Sequence, residues 1–242
     1  MTNKTSLHDT ITVAYRTLRY NFKIIFAGKF IYFLGAALFI FVTVTVMNLL
    51  NANANPTEQT VYNLLLVPGI LFVFYPLTFG IQNDVDNRMI EILFGIPNYR
   101  YKVWFIRLIL IFAVAGALLT VLATLSSFAL AIVPVFKMVM QLMFPVIFLG
   151  SMAFMVSTIV RNGSGTAVVM IIFGMIFWLW RDFFEDHRAW DILLNPFMIP
   201  DNLSEAAWFE IILNNRSYLA VGTVFALLSG LLNLQKREKF LQ

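Results

Sequence analysis

His187 stands among Glu185, Asp186 and Asp191, residue types that bind divalent cations. A metal centre needs several converging ligands of fixed geometry. Here a single His lies in an acidic loop, and the other one, His8, falls on the opposite side of the membrane in the topology derived below. No metal site is expected. Ala27-Gly28-Lys29-Phe30 is no phosphate loop, because the preceding glycine spacing and the following Ser or Thr are missing. No Ser/His/Asp set and no paired-carboxylate site is visible, and the absence of Cys excludes thiol catalysis, disulfides and Cys-ligated metals. No catalytic or cofactor-binding residue is assigned, and this chain is not expected to be an enzyme by itself.

The most unusual chemistry lies in the stretch Asp84 to Lys102, a charged gap between two apolar runs. Ile90, Leu93 and Phe94 recur at spacings of three and four, with Met89 and Ile96 beside them. Asp84, Asp86, Arg88 and Glu91 supply a polar side. This period predicts a short helix over 84–96 lying across the membrane surface. Asp84 favours its N-terminus through cap and dipole, and Gly95 and Pro97 mark its end. Asn98 to Lys102 then forms a basic, aromatic lead into the next apolar run. Such a helix either rests on lipid or is gripped by another protein.

The elements that position it follow from composition. Charged residues make up 12% of the 242-residue chain and hydrophobic ones 60%, with 25 Phe. A soluble domain carries about a quarter charged residues. The apolar excess is concentrated in runs near or above the ~20 residues that cross a bilayer core. Six spans are read: 30–50, 61–81 with Pro68 and Pro76 inside, 103–133, 138–160, 166–180 and 217–232, the last extending back towards Ile211. The third is too long for an upright helix. Arg161 to Gly165 reads as a turn. Intramembrane polar groups are sparse. Arg107 is expected to snorkel to the inner face, and Asn63, Gln141, Ser126 and Ser127 to make helix–helix hydrogen bonds. No span centre holds Asp, Glu or His, so ion-driven transport is disfavoured.

Charge sets the orientation. With the N-terminus inside, only Lys137, Arg181, Arg188 and Arg216 of the 17 basic residues fall outside, where eight of the 13 acidic residues lie. That asymmetry obeys the positive-inside rule and places both termini in the cytoplasm. The formal charge of +4 is therefore topology, and nucleic acid is not an expected partner.

Two further segments are neither span nor tail. Residues 8–26 place Val13, Leu18 and Phe22 on one rough side, with Arg16, Arg19 and Lys23 at spacings of three and four. This is a basic amphipathic helix at the inner leaflet, against membrane lipids, or else a flexible basic tail. Residues 181–216 form the long outer segment. Phe184, Trp190, Phe197 and Trp208 are among its large apolar groups, and Pro196 and Pro200 interrupt it. Two short, interfacial or re-entrant helices are expected, with Asn202 or Ser204 capping the second. The segment either anchors at the interface or gates.

The whole layout resembles the permease subunits of the type-2 (ABC-2 type) ABC exporter family. The resembling pattern is an acidic start, Glu91, the apolar pair Ile92 and Leu93, Gly95, Pro97, Arg100 and then Arg107 inside the next span. Ile90 stands where the family pattern usually has Thr, and the N-terminal helix lacks a strong acidic residue. The resemblance implies a single transmembrane domain over 1–242: an all-α polytopic membrane protein with six transmembrane helices, an N-terminal elbow helix at 8–26 and a cytoplasmic coupling helix at 84–96 between spans two and three. It also implies that Asp86, Arg88, Glu91, Leu93, Phe94, Gly95, Pro97 and Arg100 face a separate ABC ATPase subunit, on which ATP and Mg would bind. This chain would bind no cofactor and would pair with a second copy or a related permease in a bacterial inner membrane. The expected role is outward movement of a hydrophobic, lipid-like or peptide- or drug-like substrate. A non-transporting membrane assembly or scaffold protein is the first alternative, and a self-sufficient carrier or channel the second.

Overall fold

The computed structural model describes residues 29–51, 55–86, 100–180 and 187–234. All regular structure among the described residues is helical, without strands, and five of the helices are long and apolar enough to cross a membrane. That composition fits a multi-pass membrane protein. The N-terminal elbow residues Arg16, Arg19 and Lys23 lie outside the described residues, as do Arg88, Glu91, Leu93, Phe94, Gly95, Pro97 and Phe184.

Helix α1, Phe30–Leu50, has the limits its apolar run predicts and stops at Asn51, whose backbone turns to the extended region. Helix α2, Glu58–Asp86, is longer than expected and carries Pro68 and Pro76 inside it. After it the chain re-enters through a π-helical stretch, Arg100–Phe105, that passes directly into α3, Ile106–Ala129. The third run therefore does not span 103–133 as one helix. Leu130 and Ala131 both donate to Ser126 O, and Ser127 Oγ accepts from Val133 N. These bonds tie off the helix before Pro134 opens α4, Val135–Val160. Arg161 closes α4 in the left-handed conformation at φ 59°, and Asn162 caps α5, Gly163–Leu179, by accepting from Gly165 N. The turn is shorter than its residues suggest: Arg161 and Asn162 make it, and Gly163, Ser164 and Gly165 already form the first turn of α5. At about 25 Å, by the 1.5 Å rise per residue, α5 is the shortest of the apolar helices.

The last helix corrects the sequence expectation. Ser204 caps its start by accepting from Ala207 N, but the helix does not end after a short interfacial stretch. As α6 it runs unbroken from Glu205 to Asn233. The preceding segment is no helix either: from residue 187 on it holds one 3₁₀ turn, Arg188–Trp190, followed by turns around Pro196 and Pro200.

Helices α2 and α4 form the centre. α2 packs on α1, α3, α4 and α5, while α4 packs on α2, α3, α5 and α6. Two-thirds of the spanning window of α2 is buried, 67%, against 17% for α1 and 22% for α6. The outer helices thus present most of their surface to the surroundings, where lipid would cover it. Without a hydrophobic force between helices in lipid, close approach depends on small residues. At Gly150 of α4, a Cβ would come within 2.8 Å of Leu77 and 2.9 Å of Phe112. At Gly230 of α6 it would come within 2.7 Å of the Phe154 ring. These two glycines let α4 meet α2, α3 and α6 together.

Candidate functional site

The bundle has two chemically distinct ends. At one, Asp84 in the last turn of α2 accepts from Arg107 Nη1 of α3 at 2.5 Å, with the two side chains 3% and 4% exposed. The Arg107 guanidinium also lies 5.0 Å from the Trp104 ring centroid. This corrects two expectations. Arg107 does not snorkel to a polar surface, and Asp84 does not open a separate surface helix. Asp84, Val85 and Asp86 instead complete α2. Asp86 is exposed and accepts from Gln82 Nε2 at 3.4 Å, while Gln82 Oε1 accepts from Gly163 N at 2.6 Å. Arg100 begins the π-helical stretch. The segment 87–99, which carries most of the proposed partner-facing residues, is therefore rooted on two helices joined by a buried ion pair.

At the other end the central group is Arg216 of α6, 6% exposed. Its Nε donates to Gln141 Oε1 of α4 at 2.8 Å, its Nη1 to Asn215 Oδ1 at 2.8 Å and its Nη2 to Leu194 O at 3.3 Å. The guanidinium also lies 5.6 Å from the Phe144 ring centroid. Tyr62 Oη of α2 donates to the same Leu194 carbonyl, and Asn215 Nδ2 donates to Ala189 O and Asp191 O. Asn195 Nδ2 donates to Gln59 O and Asn63 Oδ1, and Trp208 Nε1 to Pro196 O. Segment 187–196 is thereby bolted to α2 and α6, largely by side chains that satisfy its carbonyl groups. Buried backbone polar groups must find such partners, most of all where lipid excludes water.

The outer aromatic residues divide between these roles. Trp208 is buried beneath the segment, with the Arg188 guanidinium 5.9 Å from its ring centroid. Phe197 packs on Tyr62 at 5.9 Å and beneath the Lys137 ammonium at 5.6 Å. Trp190 is 59% exposed and stacks on Tyr218 at 4.7 Å. Gln141 makes an interhelical bond to Arg216, and the exposed Asn63 a helix–segment bond to Asn195. Ser126 instead bonds Leu122 O in its own helix. The sequence reading missed Arg216 and Asn215 as a structural centre because it ended the outer segment there. The signal was available: no Gly or Pro breaks the chain between Ser204 and Ser217, so the polar pair had to sit inside a helix.

Beneath the bolted segment lies a cavity of about 530 Å³. It runs between α2 and α5, with Leu149 and Gly150 of α4 behind it and Asp191, Ile192 and Leu193 closing one end. Asn63, Leu66, Ile70, Val73 and Phe74 line it from α2. Residues 63–74 cover three turns, so the groove is about 16 Å long at 1.5 Å per residue. Met170, Phe173, Gly174, Phe177 and Trp178 form the α5 side. The walls are apolar except at the segment end, where Asn63 and Asp191 stand. An apolar slot with a few polar groups at one end is the usual form of a small-ligand site.

No protein-family model, curated protein or solved structure matches the chain.

Proposed function

We propose that this chain is the membrane-spanning permease subunit of an ATP-driven exporter of the ABC-2 type. It would cross a bacterial inner membrane six times, α5 providing the short fifth crossing, with both termini and segment 87–99 in the cytoplasm. The basic residues around that segment and the acidic residues near segment 187–204 support this orientation through the positive-inside rule. ATP and Mg would act on a partner ATPase subunit, and a second copy or a relative would complete the transporter. The cargo is hydrophobic or amphiphilic and occupies the α2–α5 groove.

The observation that carries the reading is the buried Asp84–Arg107 pair. It joins the two roots of the segment that would meet the ATPase. One root, α2, is also the central helix that lines the cavity along five side chains. A push on segment 87–99 thus has a stiff route to the groove, because a buried, hydrogen-bonded ion pair resists separation in low dielectric.

The test is co-purification with an ATPase subunit encoded beside this chain. Glu91→Ala and Leu93→Asp should each weaken the association while membrane insertion stays normal. Undiminished association with both variants would contradict the assignment of this segment. Lack of any such ATPase partner would favour the scaffold reading.

A further inference from the structure

Several glycines of the bundle are explained by close packing. At Gly150, Gly222 and Gly230 an added Cβ would come within 2.8, 2.6 and 2.7 Å of a side chain on another helix. Gly174 of α5 is different: a Cβ built there meets nothing within 4 Å, although the residue lines the α2–α5 groove. Glycine inside a helix weakens it relative to alanine, and no packing contact offsets that loss at Gly174. What its missing side chain leaves is room in the groove. Met170, Phe173 and Phe177 recur at spacings of three and four and form the α5 wall beside it.

The groove covers one half of the membrane's depth. Helix α2 begins at Glu58, so Asn63 lies near that end, while Phe74 is close to the middle of its 29 residues. Helix α5 runs the opposite way: Gly163 N at its start donates to Gln82 near the far end of α2, and Trp178 near its own end lines the groove. At 1.5 Å per residue the walls run about 16 Å along α2 and about 12 Å along α5 from Met170 to Trp178. The acyl chains of one leaflet reach about 15 Å, half of the ~30 Å hydrocarbon core. Water is not at hand at that depth to fill an apolar slot, and side chains facing a void lose the dispersion contacts of that side.

We infer that the α2–α5 groove is a binding site for an acyl chain of a membrane lipid, entered sideways from the leaflet beside segment 187–204. The head group lies at the Asn63 end and the chain terminus near Phe74. Ile171 and Trp178, 58% and 70% exposed, leave the α5 flank open to the surroundings, so the chain reaches the slot without passing segment 191–193. That the seated lipid is also the exported cargo rests on the permease reading; that it binds does not.

The test uses the full chain in phosphatidylcholine nanodiscs that contain a small fraction of the same lipid with a photoreactive diazirine on one acyl chain. In one probe the diazirine is at the chain terminus, in the other beside the ester carbonyl. Adducts are mapped by peptide mass spectrometry, and Phe225 of α6, 67% exposed, records contact with ordinary surrounding lipid. The terminal probe should label Phe74, and the carbonyl-side probe the buried Leu66. Gly174→Leu fills the slot from α5 and Ile70→Trp from α2; each should remove both adducts and leave the Phe225 adduct in place. Gly174→Ala leaves the slot open and should keep them. Labelling of Phe225 without the groove residues, the reverse register of the two probes, or groove adducts that survive in a filled variant would overturn the proposal. No ATPase takes part, so this test can fail while the ATPase association stands, or succeed while that association fails.

Discussion

Arg107 and Arg216 are buried to the same degree, 4% and 6% exposed, at opposite ends of the bundle. Arg107 meets the carboxylate of Asp84 and links two helices. Arg216 donates, among the described residues, to neutral oxygens, and one of these belongs to a backbone that is not helical. The difference follows from what each end must satisfy. Helices α2 and α3 satisfy their own carbonyl groups, so at the first end only charge needs balancing. Segment 187–204 has few internal backbone bonds, and its carbonyls need donors supplied from the helices beneath. A planar guanidinium with five N–H groups serves several acceptors together, which a lysine ammonium cannot do in fixed geometry. One arginine is half of a pair; the other is the centre of a network.

The comparison can be broken most sharply at the pair. Arg107→Met leaves the buried Asp84 carboxylate uncompensated and should cost about 3–5 kcal/mol, read as a fall in thermal unfolding temperature in detergent. Asp84→Leu combined with Arg107→Met should recover most of that loss, because matched apolar groups replace a buried pair at little cost. If the double variant is as unstable as the single one, the two residues are not a pair.

At the network no such rescue should exist. Arg216→Met strands Gln141 Oε1 and weakens the hold on Leu194 O, and should cost about 1–3 kcal/mol. It should also speed hydrogen exchange and proteolysis selectively in residues 187–196. Adding Gln141→Leu should not restore that protection, since the segment carbonyls still lack donors. Restoration would show that Arg216 acts as a simple partner of Gln141.

The smallest effect distinguishes single ties. Asn215→Ala removes donors to Ala189 O and Asp191 O and should cost about 1–2 kcal/mol. Asn233→Ala, which loses bonds to Thr158 O and Oγ1 at the Asp84 end, should cost about 1 kcal/mol or less. Thr158 Oγ1 stays bonded to Met155 O, so a single carbonyl loses a donor there, whereas Asn215 serves two. Equal costs, measured as denaturation midpoints, would remove the contrast between helical and non-helical backbone.

How far the sequence could be read follows the same division. The limits of α1 and the break at Arg161 and Asn162 were legible because both depend on local chemistry: an apolar run with polar ends, and a Gly/Asn cluster. The union of residues 205–216 with the last span was obscured by Glu210, Asn214, Asn215 and Arg216, whose polarity reads as loop when their partners are unknown. Asp84 was misplaced for the same reason. An acidic residue near a span end signals a helix start unless a buried cation 23 positions later reverses its meaning. The cavity was not legible at all. Leu66, Ile70 and Val73 are ordinary apolar span residues, and only the divergence of α2 and α5 turns them into a wall.

The proposal that segment 87–99, and not segment 187–204, takes the input of an ATPase is tested most directly by site-specific photo-cross-linking in intact cells. A photoreactive amino acid replaces Leu93 in one variant and Trp190 in another, with the neighbouring ATPase subunit co-expressed. The account predicts an ATPase adduct from position 93 and none from position 190. An adduct from position 190, or none from position 93 when both variants are inserted normally, would contradict it.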